Sequence, residues 1–132
     1  MISIPKVVNA AILTKQNTEL VVDQIELPKE LKVGQVLVKV HVSGICGSQI
    51  GEISGVKGPD KFLPHLMGHE GCATVLKVGP GVTFCAEGDL VVLHWRKGNG
   101  IQSETPKYYW KGKQLNGGWV TTFNSHAVVS EN

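Results

Sequence analysis

The sequence predicts a mainly β fold of short strands closed into a barrel, and three observations predict it. Val36, Val38, Val40 and Val42 share one face of a segment whose other face carries Leu37, Lys39, His41 and Ser43. Strict alternation of this kind marks a strand with one face in a core. Glycine supplies 16 of 132 residues, with 6 prolines, about 12% glycine against the usual ~7%, so turns are frequent. No segment carries a 3.6-residue apolar stripe over about ten residues or more. Closure into a barrel is the expected way to avoid open strand edges.

In chain order, Val7 to Leu13 reads as a strand. Leu20 to Leu27 reads as a second, ended by Pro28, and a hairpin through Lys15-Gln16-Asn17-Thr18 joins them. The valine-rich strand follows. Glycines 44, 47, 51 and 55 then break any strand, and a short helical turn is expected from about Gly47 to Ile53. Val56 to Pro64 is a loop by its Gly and Pro content. Cys72 to Val78 is the next strand, turning through Gly79-Pro80-Gly81, and Gly88-Asp89 feeds a strand from Leu90 to His94. Arg96 to Gly118 is polar and without periodicity, and is expected to be a long surface loop with a small hairpin around Lys111-Gly112-Lys113. Ser125 to Ser130 is the last strand.

At 132 residues the chain is one domain's worth and long enough for a core. Apolar residues make up 42% and charged residues 18%, which argues against disorder. A net charge of +2 is too small to imply nucleic-acid binding. No apolar run reaches the ~18 residues of a membrane span, and MISIPKVVNA does not read as a secretory signal. Cys46, Cys72 and Cys85 are odd in number and without a CxxC pair. A disulfide framework is not expected, and a reducing, cytoplasmic setting is.

The chemistry centres on Gly68-His69-Glu70-Gly71. A His between glycines with an adjacent carboxylate suits a metal ligand, and Cys46, in the Gly-rich turn Cys46-Gly47-Ser48, offers a second. A nearby cation would hold that thiol as thiolate. Glu70 cannot point the same way as His69 in an extended stretch, so it is expected to support the site from behind. Ser48, two residues from the thiol, could hydrogen-bond a metal-bound alcohol.

The sequence resembles the medium-chain, zinc-dependent alcohol dehydrogenase family, on its class I and III side. The resemblance is carried by Val36-Leu37-Val38-Lys39-Val40 leading to Gly44-Ile45-Cys46-Gly47-Ser48, and by Pro64-His65-Leu66-Met67-Gly68-His69-Glu70-Gly71. Val78-Gly79-Pro80-Gly81-Val82, Glu87-Gly88-Asp89-Leu90-Val91-Val92 and the segment from Lys111 to Asn132 extend it over essentially the whole chain. It implies a GroES-like β-barrel with short helical turns, the N-terminal catalytic domain of such an enzyme, over residues 1–132. It implies that Cys46, His69 and, conditionally, Glu70 hold one catalytic Zn2+. Ser48 would take the alcohol proton, Gly47 and Ser48 would border the NAD or NADP site, and Trp95 would line the substrate pocket. Substrates would be small alcohols and aldehydes, with no nucleic-acid or membrane partner, and homo-oligomers would form only in the full-length enzyme.

The sequence also departs from that pattern. His94 to Lys113 lacks the family's four clustered cysteines, so no structural zinc is expected. Gln49 stands where an Asp usually orients the ligand His, an amide expected to accept a hydrogen bond without adding charge. Gly51 replaces a relay His, and Ala73 replaces a common Gly. The family's third zinc ligand and its Rossmann cofactor domain have no counterpart here, and no GxGxxG occurs. The chain is therefore expected to be an incomplete catalytic domain, inactive alone and at most a weak zinc binder. A zinc-free quinone-reductase-like enzyme and a non-catalytic GroES-like binding module are the competing readings. His41 reads as an outward-facing surface residue, His65 and His94 as residues outside the site and the substrate cleft, His126 as structural, and Lys107, Lys111 and Lys113 as a solvated loop.

Overall fold

The computed structural model describes residues 4–132; the first residues of the N-terminal segment read for a secretory signal lie outside them. Among the described residues, eight strands and one helix form: β1 Val7–Ile12, β2 Val21–Glu26, β3 Gln35–Ser43, α1 Gly47–Ser54, β4 Gly71–Val78, β5 Leu90–Leu93, β6 Lys107–Trp110, β7 Lys113–Asn116 and β8 His126–Ser130. They make two four-stranded antiparallel sheets, ordered β1-β2-β6-β7 and β5-β4-β3-β8. The expected mainly β architecture is what forms. Isolated bridges tie the sheet edges: Ala10 of β1 pairs with Asn124, just before β8, and His65 pairs with both Leu13, just after β1, and Asn116 of β7, spanning the two edges of the first sheet. These bridges cover strand ends that would otherwise stand open.

Asn17, with φ 60°, lies in the turn between β1 and β2, where Asn tolerates the left-handed region. The β6–β7 turn places Lys111 at φ 50° and Gly112 at φ 75°, the two positive values of a type I′ hairpin.

Two expectations need correction. The valine-rich strand was expected to bury one face. In its first half it buries both, because β3 lies between two cores. Val36 and Val38 pack with Val75, Ala127 and Leu93, while Leu37 packs with Ile12, Tyr108 and Leu115. Irregularities at Leu37/Val38 and Val40/Val42 shift its register, and Val42 emerges 59% exposed. A bulge re-aims side chains in just this way. The second correction concerns Arg96–Gly118, expected to be a surface loop. Its hairpin is half of a sheet, and Tyr108 and Leu115 are fully buried. Each has polar neighbours that mask the apolar signal. Burial pushes the Tyr108 phenol up to about 12. Its hydroxyl accepts from the Val128 N–H at 2.8 Å and bonds the Val128 carbonyl at 3.4 Å.

Candidate functional site

Cys46 caps α1, and the glycines on either side of it let the chain turn sharply from β3 into that helix. The first turn leaves free backbone N–H groups at the helix start. The Cys46 thiol is held below its ordinary value by the Ser48 hydroxyl first and by the Ser48 and Gln49 N–H groups, while partial burial and the Glu70 charge oppose them. Cys46 Sγ lies 2.7 Å from Ser48 Oγ.

Gln49 is fully buried, and its amide ties the two halves of the motif together. Its Oε1 accepts from the Cys46 backbone N–H at 2.9 Å. That bond fixes the orientation of the amide, because the reverse would set two donors face to face. Its Nε2 therefore faces His69 Nδ1, at 2.6 Å. Gln49 was expected to accept from this histidine. The structure makes it a donor, since its only side-chain acceptor is already engaged. A neutral His69 that accepts at Nδ1 carries its proton on Nε2.

Gly68 and Gly71 press the motif onto the segment before β8. A Cβ on Gly68 would sit 2.1 Å from Thr122 Oγ1, and one on Gly71 2.7 Å from the Val42 carbonyl. Met67 O accepts from both the Thr122 and Phe123 N–H groups at 2.9 and 3.0 Å. His69 is half-buried, whereas Glu70 is exposed and lies over Gly44, whose Cβ would meet its carboxyl at 2.7 Å.

The structure thus links Cys46, Ser48, Gln49 and His69 in one chain of contacts. Glu70 is close enough to bear on the Cys46 thiol but does not converge with Cys46 and His69 into a three-ligand cluster among the described residues. Gly47 opens α1 with open space at its Cα. Trp95 is 72% exposed and shares a cavity of about 280 Å³ with His69 and His94. Trp119, which the sequence reading passed over, lines that cavity too and donates from Nε1 to the Ser103 carbonyl at 2.7 Å. Its position between glycines and Val120 carried no periodic signal.

Thiolate and imidazole are zinc's preferred ligand types, and Cys46 and His69, connected through Ser48 and Gln49, offer one of each. No third ligand is gathered here among the described residues, and the His69 Nε2 proton would have to leave first. The donor set therefore fits zinc as a partial site. The three cysteines are free. No helix among the described residues is long and apolar enough to cross a membrane.

A family model described as the alcohol dehydrogenase GroES-like domain matches residues 32–132. An alcohol dehydrogenase of Geobacillus stearothermophilus is 35% identical over 86 residues, 65% of this chain and 25% of that protein. A class-3 alcohol dehydrogenase of Cereibacter sphaeroides is 41% identical over 61 residues, 46% of this chain and 16% of that protein. The match thus spans a quarter or less of these curated relatives. An alcohol dehydrogenase zinc-binding domain protein from Burkholderia ambifaria superposes with TM-score 0.81 at 22% identity, covering 96% of this chain and 40% of that one. At that identity the likeness is one of fold.

Proposed function

The chain belongs to the alcohol dehydrogenase GroES-like domain family, and we propose that it forms the zinc-bearing wall of the active site of an NAD- or NADP-dependent alcohol dehydrogenase. On this reading residues 1–132 are the N-terminal part of the catalytic domain, and the cofactor domain lies in further sequence, as the greater length of the relatives suggests. The observation that carries it is the contact chain Cys46–Ser48–Gln49–His69, which puts a thiolate-prone sulfur, a hydroxyl and an imidazole at the mouth of one helix.

Cys46 and His69 would hold the zinc, with Glu70 as a conditional ligand or a nearby charge. When bound, zinc supplies Lewis acidity toward an alcohol oxygen, and a nicotinamide supplies the hydride acceptor. Ser48 Oγ, 2.7 Å from Cys46 Sγ, would accept the hydroxyl proton of the alcohol. Gly51 offers no side chain to relay it, so the proton leaves Ser48 through water. Gly47, without a side chain, lets the cofactor approach the start of α1. Trp95 and Trp119 would cover the apolar part of the substrate and exclude water. A zinc-free reductase has no need of Cys46 together with His69, and a barrel without chemistry needs neither Cys46 nor Ser48. Cytoplasmic residence, small alcohol or aldehyde substrates and homo-oligomers of the full-length enzyme belong to the same proposal.

The test replaces Cys46 and His69 separately by Ala in the full-length enzyme. Each is expected to abolish NAD(P)-linked alcohol oxidation and to lower zinc content. Retained activity in both variants would reject the zinc mechanism.

A further inference from the structure

Outside this site, Glu52, Asp60 and His65 bring one carboxylate oxygen each and an imidazole nitrogen within 4.8 Å of one another. We propose that these three side chains form a divalent-cation site that ties α1 to the 56–64 loop and to the segment leading into His69.

Each ligand is placed by its own element. Glu52 projects from α1. Asp60 sits in the loop, where its Oδ1 accepts from the Phe62 N–H at 2.9 Å. His65 is anchored by paired backbone hydrogen bonds with Leu13, at 3.0 and 3.1 Å, and is 8% exposed. Its Nδ1 lies 2.8 Å from the Leu66 carbonyl, which can only accept. Nδ1 therefore carries a proton, and Nε2 faces the carboxylates, where it donates to Asp60 Oδ2 until a cation displaces that proton. This is the arrangement in which a ligand histidine gives its other N–H to a backbone carbonyl.

Nε2 stands 2.6 Å from Asp60 Oδ2 and 3.7 Å from Glu52 Oε2. A cation held at ~2.0–2.2 Å from each would keep ligand atoms about 3.3–3.6 Å apart in a tetrahedron. Entry of a cation would therefore displace the Nε2 proton and widen the Asp60 contact by about 0.7–1 Å. The charge balance favours it. Two carboxylates face one imidazole, and no Lys or Arg among the described residues pairs with Glu52 or Asp60. The Asp60 and Glu52 side chains are only 11% and 32% exposed, so the excess negative charge is poorly solvated. A cation removes that cost. The three residues line a cavity of about 390 Å³, which gives an ion a way in. Thr121, 2% exposed and with a hydroxyl lacking any hydrogen-bond partner, lines it as well.

Mn2+ separates this site from Cys46, because carboxylate ligands suit manganese whereas thiolates select softer ions. The chelator-treated chain is titrated with MnCl2 while the electron-paramagnetic signal of free Mn2+ is followed. One Mn2+ per chain is expected, saturating below about 1 mM, together with a rise in melting temperature. Cys46→Ser should bind equally well. Glu52→Gln, at the most exposed of the three ligands, should weaken binding about tenfold or more and lose the thermal shift. Asp60→Asn should do the same, with circular dichroism verifying its fold. Absence of saturable binding and of any thermal shift in the unsubstituted chain would overturn the proposal. Binding lost in Cys46→Ser, or unchanged in a folded Glu52→Gln, would overturn it equally.

Discussion

Gln49→Glu should raise the zinc affinity of the Cys46/His69 pair. In the chain as it stands, Gln49 Oε1 is taken by the Cys46 N–H at 2.9 Å and Nε2 donates to His69 Nδ1 at 2.6 Å. Coordination through His69 Nε2 needs that nitrogen's lone pair, so the proton must move to Nδ1. There it would meet the amide NH2, donor against donor. Turning the amide over only transfers the conflict to the Cys46 N–H. Either route forfeits one hydrogen bond at a residue that is fully buried, about 1–3 kcal/mol. Glutamate keeps the length of the side chain and removes the conflict: one oxygen holds the Cys46 N–H and the other accepts from Nδ1–H. The gain should be about 10–100-fold in affinity, equivalent to about 1.4–2.7 kcal/mol. The metal-free variant should melt lower, because a carboxylate has been buried, and zinc should restore it. Competition against a chromophoric chelator at neutral pH measures the affinity. An affinity equal to or below that of the unsubstituted chain would refute the reasoning.

Tyr108→Phe strips the Val128 N–H of its buried partner and should cost about 1–3 kcal/mol in urea denaturation; a loss under about 0.5 kcal/mol would show that the N–H finds another acceptor. Gly68→Ala forces a Cβ to 2.1 Å from Thr122 Oγ1 at φ +99°, so a loss of about 2–6 kcal/mol is expected from strain and overpacking together, read by the same method. At Glu131, partial burial works to raise the carboxyl, but N–H groups from Ile101, Phe84 and Thr83 together hold it below its ordinary value. A carboxyl lowered by folding stabilises above its unfolded pKa and loses that contribution as pH falls through the folded value. Melting temperature should therefore drop more steeply below about pH 4.5 for the unsubstituted chain than for Glu131→Gln.

Much of the fold was legible because strands announce themselves by alternation and by the glycines between them. β1, β2, β4, β5, β8 and the short α1 fall close to where the sequence places them. The β6–β7 hairpin was placed at Lys111-Gly112 but its weight was not, because Tyr108 and Leu115 are single buried residues in four-residue strands rich in Lys and Gln. A core contribution of that size depends on which sheet it joins, and sequence spacing does not record this. Val42 was misplaced for a related reason: a bulge is a property of the pairing with β4, not of the valines themselves. In the site, residue types were readable while directions were not. Gln49 is visible as an amide beside a candidate ligand, but whether it donates or accepts follows from the Cys46 N–H, which only the helix start brings to it. Trp119 and the Glu52–Asp60–His65 grouping arise from contacts between segments that are distant in sequence or different in structure.

The central claim, that Cys46 and His69 share a metal, is tested most directly by Co2+ titration followed in the near-ultraviolet, where a cobalt–thiolate bond absorbs. A weak, saturable thiolate band is predicted, lost in Cys46→Ser and strongly reduced in His69→Asn. A titration with no thiolate band, or a band that survives Cys46→Ser, would contradict the account.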